Sequence, residues 1–177
     1  RTLAVLLLVG AFAAPSSVWA VDADDESPHY QIVPVPLPKS AYLEVGGLGF
    51  ATDGTLYACT RRGEIWSYAS HKGGERAWRL FAAGLHEPLG LLVEAKGRVL
   101  VAQRPELTRI TDADGDGEAD RFEVVTAEWG VSGNYHEFAF GPVRDKEGNL
   151  YGTLNVGWEQ HGMSRARYRG WAWKLTR

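Results

Sequence analysis

The fold is decided by the stretch Gly47-Leu-Gly-Phe-Ala-Thr-Asp-Gly-Thr-Leu-Tyr-Ala-Cys-Thr60. Its centre, Asp53-Gly54, is a strong hairpin signal, because glycine tolerates the positive φ that tight turns between strands require. The same template, an apolar strand, a turn with glycine and a second strand, recurs over residues 90–103 and 138–151. Three turn glycines mark the repeat at intervals of 43 and 51 residues: Gly54, Gly97 and Gly148.

A repeat of this length with about four short strands per unit is typical of β-propeller blades. The first unit continues with strand-like sequence over residues 64–68 and 78–82, and helix signals are nearly absent. We therefore expect an all-β chain whose residues 41–177 form the N-terminal half of a β-propeller, about three blades of four antiparallel strands. Three blades do not close a ring, so we expect a piece of a longer protein. The alternative is a β-sandwich with accidental internal similarity.

The longer interval contains an acidic segment, Asp112-Ala-Asp-Gly-Asp-Gly-Glu-Ala-Asp-Arg-Phe-Glu123. Carboxylates stand at positions 1, 3, 5, 9 and 12 with Gly117 at position 6, which is the ligand pattern of a twelve-residue calcium loop. The pattern predicts six ligands, with Glu118 using its backbone carbonyl and Asp120 a bridging water: Asp112, Asp114, Asp116, Glu118, Asp120 and Glu123. Both flanks read as strands, so we expect an inserted structural clip, not a sensor. The alternative is a solvated acidic turn.

The N-terminal segment has the features of an export signal. Residues 1–20 combine an apolar run of about a dozen residues with small residues before a cleavage point at Ala20, as in a secretory signal peptide. An uncleaved anchor is the alternative. Residues 21–40 are acidic and then proline-rich, and read as an extended lead-in. We expect an exported protein, periplasmic or at the cell surface.

Composition excludes several partners. Residues 21–177 carry 18 Lys and Arg against 22 Asp and Glu, because Arg1 is the one charged residue of the first twenty. The basic residues are scattered, so we expect no nucleic-acid binding. Cys59 is the single cysteine, which excludes an intrachain disulfide and a c-type haem within this stretch. We expect it to be a small core residue.

The hairpins predict which polar residues share a face. In an antiparallel hairpin the start of the first strand and the end of the second lie at one end of the blade. The aligned units place six polar residues at that end: Glu44, Glu87 and Asn134 before the first strands, and Arg61, Arg104 and Asn155 after the second. His86 and His136 lie within two positions of the first set. Because the innermost strands of a propeller line a central channel, we expect these groups to form the mouth of a small-molecule site.

His136 is the candidate catalytic residue of this face. A histidine at the lip of a channel can act as a general base near neutral pH. The alternative is a histidine bonded to its own loop backbone. Arg61 and Arg104 can bind carboxylates through paired donors, or can simply be solvated.

Several short motifs match one known family: Leu56-Tyr57, Gly63-Glu-Ile-Trp66, Gly84-Leu-His-Glu-Pro-Leu-Gly90, Val101-Ala-Gln-Arg-Pro105, the acidic loop, and Gly133-Asn-Tyr-His-Glu-Phe-Ala-Phe-Gly-Pro142. On these motifs the chain resembles the membrane-bound dehydrogenase propellers of planctomycete-type bacteria, which are similar to the soluble quinoprotein glucose/sorbosone dehydrogenases. The resemblance implies an exported six-bladed propeller that uses calcium. It also implies pyrroloquinoline quinone (PQQ) bound over the channel and oxidation of sugars or other alcohols. Many relatives carry a cytochrome c domain further along the chain.

The resemblance also implies roles for individual residues. His136, followed by Phe138-Ala-Phe-Gly-Pro142, matches the position of the family's catalytic base, although this chain has Glu137-Phe138 where the family often has Gly-Arg-Leu. The loop at 112–123 is a different calcium site from those near the family's quinone. Five residues are then expected to orient cofactor or substrate: Arg61, Glu87, Arg104, Asn134 and Asn155.

Three functions stay open on the sequence. The first is a quinoprotein-like dehydrogenase acting on a sugar or other alcohol. The second is a calcium-dependent hydrolase of the lactonase type, in which acids and amides of the channel hold an ion that activates water. The third is a non-catalytic propeller that binds a glycan or a protein, because fold does not fix function.

Overall fold

Three antiparallel sheets make up the computed structural model, which describes residues 30–38, 41–70, 74–157 and 164–177. The strands, in chain order, are β1 Val45–Phe50, β2 Leu56–Thr60, β3 Glu64–Ser70, β4 Arg76–Ala82, β5 Leu91–Ala95, β6 Arg98–Ala102, β7 Leu107–Thr111, β8 Arg121–Thr126, β9 Ala139–Arg144, β10 Leu150–Leu154 and β11 Ala172–Leu175. The first two sheets have four strands in sequential order, β1 to β4 and β5 to β8. The third has the order β9-β10-β11.

This architecture confirms the expected all-β, partial propeller. The described residues contain no helix, and the order of strands within each sheet is that of a propeller blade. The third sheet has three strands in the part of the chain that the structure describes, one fewer than predicted.

The chain divides into two compact units, Arg1–Pro36 and Leu37–Arg177. In the first unit the structure describes residues 30–36, which are exposed and lack regular secondary structure. The predicted signal peptide lies outside the described residues. Among those described, no helix is both long and apolar enough to cross a membrane.

The predicted turn glycines stand where the hairpins turn. Gly54, Gly97 and Gly148 have φ values of 81°, 71° and 90°, a region that side chains rarely adopt. Asp53 completes the first turn, because its Oδ1 accepts the N–H of Thr55 at 3.0 Å. Local chemistry therefore sets the register of the inner hairpin in each sheet.

The apolar faces of the sheets pack on each other in two layers. In the part of the chain that the structure describes, ten buried residues form the layer between the first and second sheets, among them Tyr57, Ile65 and Val101. The layer between the second and third is built around Leu100, Leu107 and Trp129, with Trp129 stacked on Trp173 at 5.4 Å. As expected for blades, each sheet covers the face of its neighbour.

Cys59 belongs to the first layer and is fully buried, which confirms its prediction as a core residue. Burial raises the pKa of its thiol to about 11, because the charged thiolate has no water around it. The thiol is therefore neutral and unreactive at physiological pH.

Candidate functional site

Arg104, just after β6, is the centre of the polar end of the sheets. Its side chain is 9% exposed, and its Nη1 donates to Glu87 Oε2 at 3.0 Å. Its Nε donates to the carbonyl oxygen of Glu137 at 3.3 Å, and its Nη2 to that of Asn134 at 2.5 Å. One guanidinium thus ties the segment that leads into β5 to the loop that leads into β9.

The same guanidinium lies against aromatic rings. Its carbon is 6.0 Å from the centre of the Tyr135 ring and 5.7 Å from that of Phe138. A cation in such a position gains from the negative ring face. Arg104 was predicted to contact a cofactor; in the structure, three of its five N–H groups bond within the protein, and these bonds hold the loop in position.

Arg61, just after β2, is the more accessible cation of this face. Its side chain is 48% exposed and its Nε lies 3.7 Å from Glu87 Oε1. Its Nη2 donates to the hydroxyl of Tyr135 at 2.9 Å. Glu87 therefore sits between two guanidinium groups, and Arg61 keeps a solvent-facing side for a ligand.

His136 lies beside this group, half-buried, in the loop that leads into β9. Its backbone N–H donates to Asn134 Oδ1 at 2.9 Å, and its ring meets that of Tyr135 edge to face at 5.4 Å. Its carbonyl oxygen accepts the Nδ2–H of Asn155 at 3.2 Å. The structure thus brings together all six residues predicted for the catalytic and cofactor sites.

Glu44 is set apart from this cluster. Its carboxylate pairs with Arg62 at 3.5 Å, and both side chains are more than half exposed. Its link to the site is through the backbone, since its carbonyl oxygen accepts the N–H of Arg61 at 2.8 Å. His86 is exposed, and its N–H donates to Gln103 Oε1 at 2.7 Å.

Glu137 is a residue whose importance the sequence reasoning missed. It is fully buried, and its carboxylate accepts the N–H of Ser132 at 2.6 Å and the hydroxyls of Ser132 and Ser164. Burial alone would raise the pKa of this carboxyl. Donation by Ser132 and Ser164 and the charge of Arg169 outweigh burial, so the pKa lies below its usual value. The sequence signal for its burial is the two-residue spacing from buried Ala139, because alternate residues of an extended segment face the same side.

Arg169 completes the support beneath this loop. Its guanidinium donates to the carbonyl oxygens of Phe138 at 2.8 Å, Arg104 at 3.1 Å and Gly130 at 2.5 Å. Two charges of opposite sign, buried Glu137 and partly buried Arg169, therefore hold the segment that carries His136.

The acidic loop connects β7 and β8, as its predicted strand flanks required. Asp112, Asp114 and Asp116 each offer a carboxylate oxygen within 4.8 Å of the other two. Gly117 has φ 99°, as expected for the bend. The loop is anchored to the first sheet by the N–H of Ala119, which donates to the carbonyl oxygen of Phe81 at 2.8 Å.

The other predicted ligands of the loop lie as follows. Asp120 Oδ2 accepts the N–H of Ala113 at 2.7 Å, which closes the loop on itself. Glu123 lies on β8 and pairs with Arg121 at 2.7 Å. The N–H of Glu118 donates to Asp116 Oδ1 at 2.8 Å. Three of the six predicted calcium ligands thus lie close together. The carboxylate of Glu123 is instead paired with Arg121 of the same strand.

Comparisons with solved structures place this fold among known proteins. A crystal structure from Thermus thermophilus, named "putative oxidoreductase (glucose dehydrogenase)", superposes with a TM-score of 0.56 at 20% identity over 76% of this chain and 44% of that chain. The chain spans less than half the length of that protein, and the likeness shows a shared fold. A "putative 6-phosphogluconolactonase" from Bacteroides uniformis gives a TM-score of 0.42 at 11% identity over 69% of this chain and 39% of that one.

Sequence comparison adds a family. No curated protein matches the chain. One family model does match, over residues 73–170, which is more than half of the chain and includes Glu87, Arg104, His136 and the acidic loop. The chain therefore belongs to the family defined by the domain of unknown function DUF7133.

Proposed function

We propose that this chain is part of an exported, quinoprotein-like dehydrogenase that oxidises a sugar or other alcohol. The observation that carries the proposal is the gathering of His136, Arg61 and Asn155 around the Arg104–Glu87 pair, at one end of the inner hairpins. The fold shared with the T. thermophilus protein, itself named as an oxidoreductase, supports the same class.

His136 is the proton acceptor of this proposal. A neutral imidazole can take the hydroxyl proton of an alcohol, which makes departure of hydride from the same carbon easier. Its loop is held from below by Glu137, which accepts hydrogen bonds from Ser132 and Ser164. A base held this way stays in place during turnover without rearranging.

A PQQ-type quinone fits the accessible part of this face. Such a cofactor is a planar polycarboxylate, and Arg61 offers a half-exposed guanidinium for a carboxylate. Tyr135 is exposed beside Arg61, and its hydroxyl accepts a hydrogen bond from that guanidinium, so the tyrosine ring can flank a planar ligand. When bound, the quinone supplies the hydride acceptor. Arg104 and Asn134 act through the loop they hold together.

The same contacts favour this proposal over a lactonase-type hydrolase. A channel calcium would need free carboxylates, but both oxygens of Glu87 face arginines, at 3.0 Å and 3.7 Å. A carboxylate neutralised by two cations is a poor calcium ligand. Among the described residues, carboxylates converge in the loop at 112–116 and not at this face.

The test is dye-coupled oxidation of sugars and alcohols by the intact protein after loading with PQQ. We expect His136→Ala to lower kcat by about 10²–10⁴-fold, the usual contribution of a general base. Quinone loading, followed by absorbance, should be retained, because His136 is not assigned to cofactor binding. Unchanged turnover in the variant would remove His136 as the base. A loaded wild-type protein that oxidises no sugar or alcohol would overturn the function.

We also propose that the loop at 112–123 binds Ca²⁺ as a structural clip. Three converged carboxylates supply hard oxygen ligands, and the loop bonds to β4 of the neighbouring sheet through Ala119. Calcium would therefore brace the contact between the first two sheets. Binding to the folded state raises stability in proportion to occupancy.

Thermal unfolding tests this clip. We expect calcium to raise the Tm, Asp116→Ala to abolish the increase, and Glu118→Ala to keep it. Glu118 is the matched control within the loop, because its predicted contact is the backbone carbonyl. An unfolding curve that is the same in calcium and in chelator would refute the clip.

A further inference from the structure

A polar cavity lies between the second and third sheets, at the end opposite the candidate functional site. It has a volume of about 460 Å³ and is lined by both polar and apolar groups, chiefly Glu94, Arg98, Arg109, Arg144, Leu150 and Arg177. Glu94 lies near the far end of β5, whereas Glu87 precedes the first residue of that strand, so the cavity and the candidate active site lie at opposite ends of β5. Neither the motifs nor the proposed dehydrogenase accounts for it.

Glu94 organises the cavity. Its side chain is 8% exposed, and its Oε2 accepts Arg109 Nε at 2.8 Å and Arg98 Nε at 3.1 Å. Its Oε1 accepts Arg144 Nη2 at 2.5 Å. One carboxylate from β5 thus fixes three guanidinium groups from β6, β7 and β9, and the arginines are oriented before any ligand arrives.

The arginines outnumber their partner. Three of them, Arg98, Arg109 and Arg144, share the single carboxylate of Glu94, which leaves an excess of positive charge in a chain whose formal charge is −3. Arg109 and Arg144 are about two-thirds buried, with side-chain exposures of 32% and 35%. Among the described residues, Glu94 is the one protein acceptor of their N–H groups, and none of their other N–H groups is buried without a partner.

We propose that this cavity binds a doubly charged tetrahedral oxyanion, a phosphate or sulfate group. Guanidinium forks match such oxygens with pairs of parallel hydrogen bonds. The walls of Leu150 and Leu175 exclude water from one side, which strengthens these bonds, and the volume suits a small ligand. The group is either a free ion or an ester on a sugar.

Calorimetric titration of the intact protein tests the site. The probes are inorganic phosphate, inorganic sulfate, glucose 6-phosphate and glucose 6-sulfate, in chloride buffer of matched ionic strength. We expect saturable binding of at least one probe, weakened about tenfold or more in Arg144→Gln and in Arg109→Gln, because each removes a charged hydrogen-bond donor. Tighter binding of an ester than of its free ion would identify the ester as the ligand form.

Two controls keep the result specific. Arg79→Gln removes an exposed arginine of β4 and should leave the affinity unchanged. Arg144→Lys keeps the charge but loses the fork, and should bind with intermediate affinity; it decides the matter if either glutamine variant fails to fold. Absence of saturable binding in the wild type, or equal affinity in wild type and both arginine variants, would overturn the site.

Discussion

At the scale of residues, Arg104 holds the polar end of the sheets together through its bonds to Glu87 and to the backbone of Asn134. The hairpin alignment placed these three residues at the same end of the blades. The Arg104 guanidinium is occupied by Glu87 and two backbone carbonyls, and is nearly buried. Sequence spacing predicts the face on which a side chain lies. Whether its N–H groups find acceptors within the protein depends on loops from another sheet, here the loop that leads into β9.

Glu137 leads to a prediction at the same scale. Glu137→Gln should lower the free energy of unfolding by about 2–3 kcal/mol, because a buried acceptor of three donors is replaced by an amide that presents its own N–H groups to Ser132 and Ser164. Denaturant unfolding at neutral pH measures the loss. Glu147→Gln is the matched control, since Glu147 is exposed. Equal losses in the two variants would show that the buried network contributes nothing.

At the scale of elements, close approach of the inner strands is the distinctive feature. β5 lies between β1 and β9, and a bridge joins Leu89 to Phe140 in parallel orientation. A side chain at Gly90 would run into the backbone of Gly141, and one at Gly46 into that of Pro88. Glycine is needed here because backbone meets backbone, with no flexible side chain to move aside.

Gly90→Ala tests this packing. We expect a loss of about 1–3 kcal/mol in stability, the usual effect of overpacking, since the methyl group meets the carbonyl of Gly141. The loss should appear as a lower denaturant midpoint with the slope unchanged. Ala139→Gly is a useful comparison on β9, because it removes a buried methyl instead of adding one. A Gly90→Ala protein as stable as wild type would mean that the inner strands are less close than described.

Element by element, hairpins were predictable and loops were not. Asp53-Gly54 and its counterparts specify turns through local backbone chemistry, so the paired strands followed from the sequence. The loop before β9 is instead held by Ser164, which bonds Glu137 from 27 residues away, and by Arg169, which bonds Gly130 from 39 residues away. No local pattern in residues 130–137 reveals partners that distant, and Glu137 was therefore read as a departure from a motif and not as an anchor.

At the scale of the whole molecule, contacts between sheets decide what the sequence could not. Period and turn spacing predicted stacked blades, and with them the face that gathers His136 and Arg61. They did not predict the arginine cavity, because Glu94 meets Arg144 from a strand 50 residues away, across the layer between two sheets. A contact between strands of two sheets depends on how one sheet is rotated relative to the next, and the repeat length alone does not predict this rotation.

Three carboxyl groups with lowered pKa values, Glu94, Glu137 and Asp145, determine how the stability of the protein depends on pH. Burial would raise the pKa of Glu94, but hydrogen bonds from Arg109 and Arg144 outweigh it and lower the pKa. Glu137 behaves likewise, and the side chain of Asn149, with help from Tyr151, lowers the pKa of Asp145 to about 2. All three carboxyls are thus more acidic when folded than when unfolded, where values near 4 are usual.

A carboxyl with a lowered folded pKa stabilises the protein above its unfolded pKa, and this contribution is lost as the pH falls through the folded value. We therefore expect the unfolding free energy to be nearly constant above about pH 5 and to decline between roughly pH 4.5 and 2. Urea unfolding across this range measures the profile. Glu94→Gln should flatten the decline, because one of the three groups no longer titrates, whereas exposed Glu147→Gln should keep the wild-type shape. A protein that gains stability on acidification below pH 4.5 would show that these three carboxylates do not stabilise the folded state.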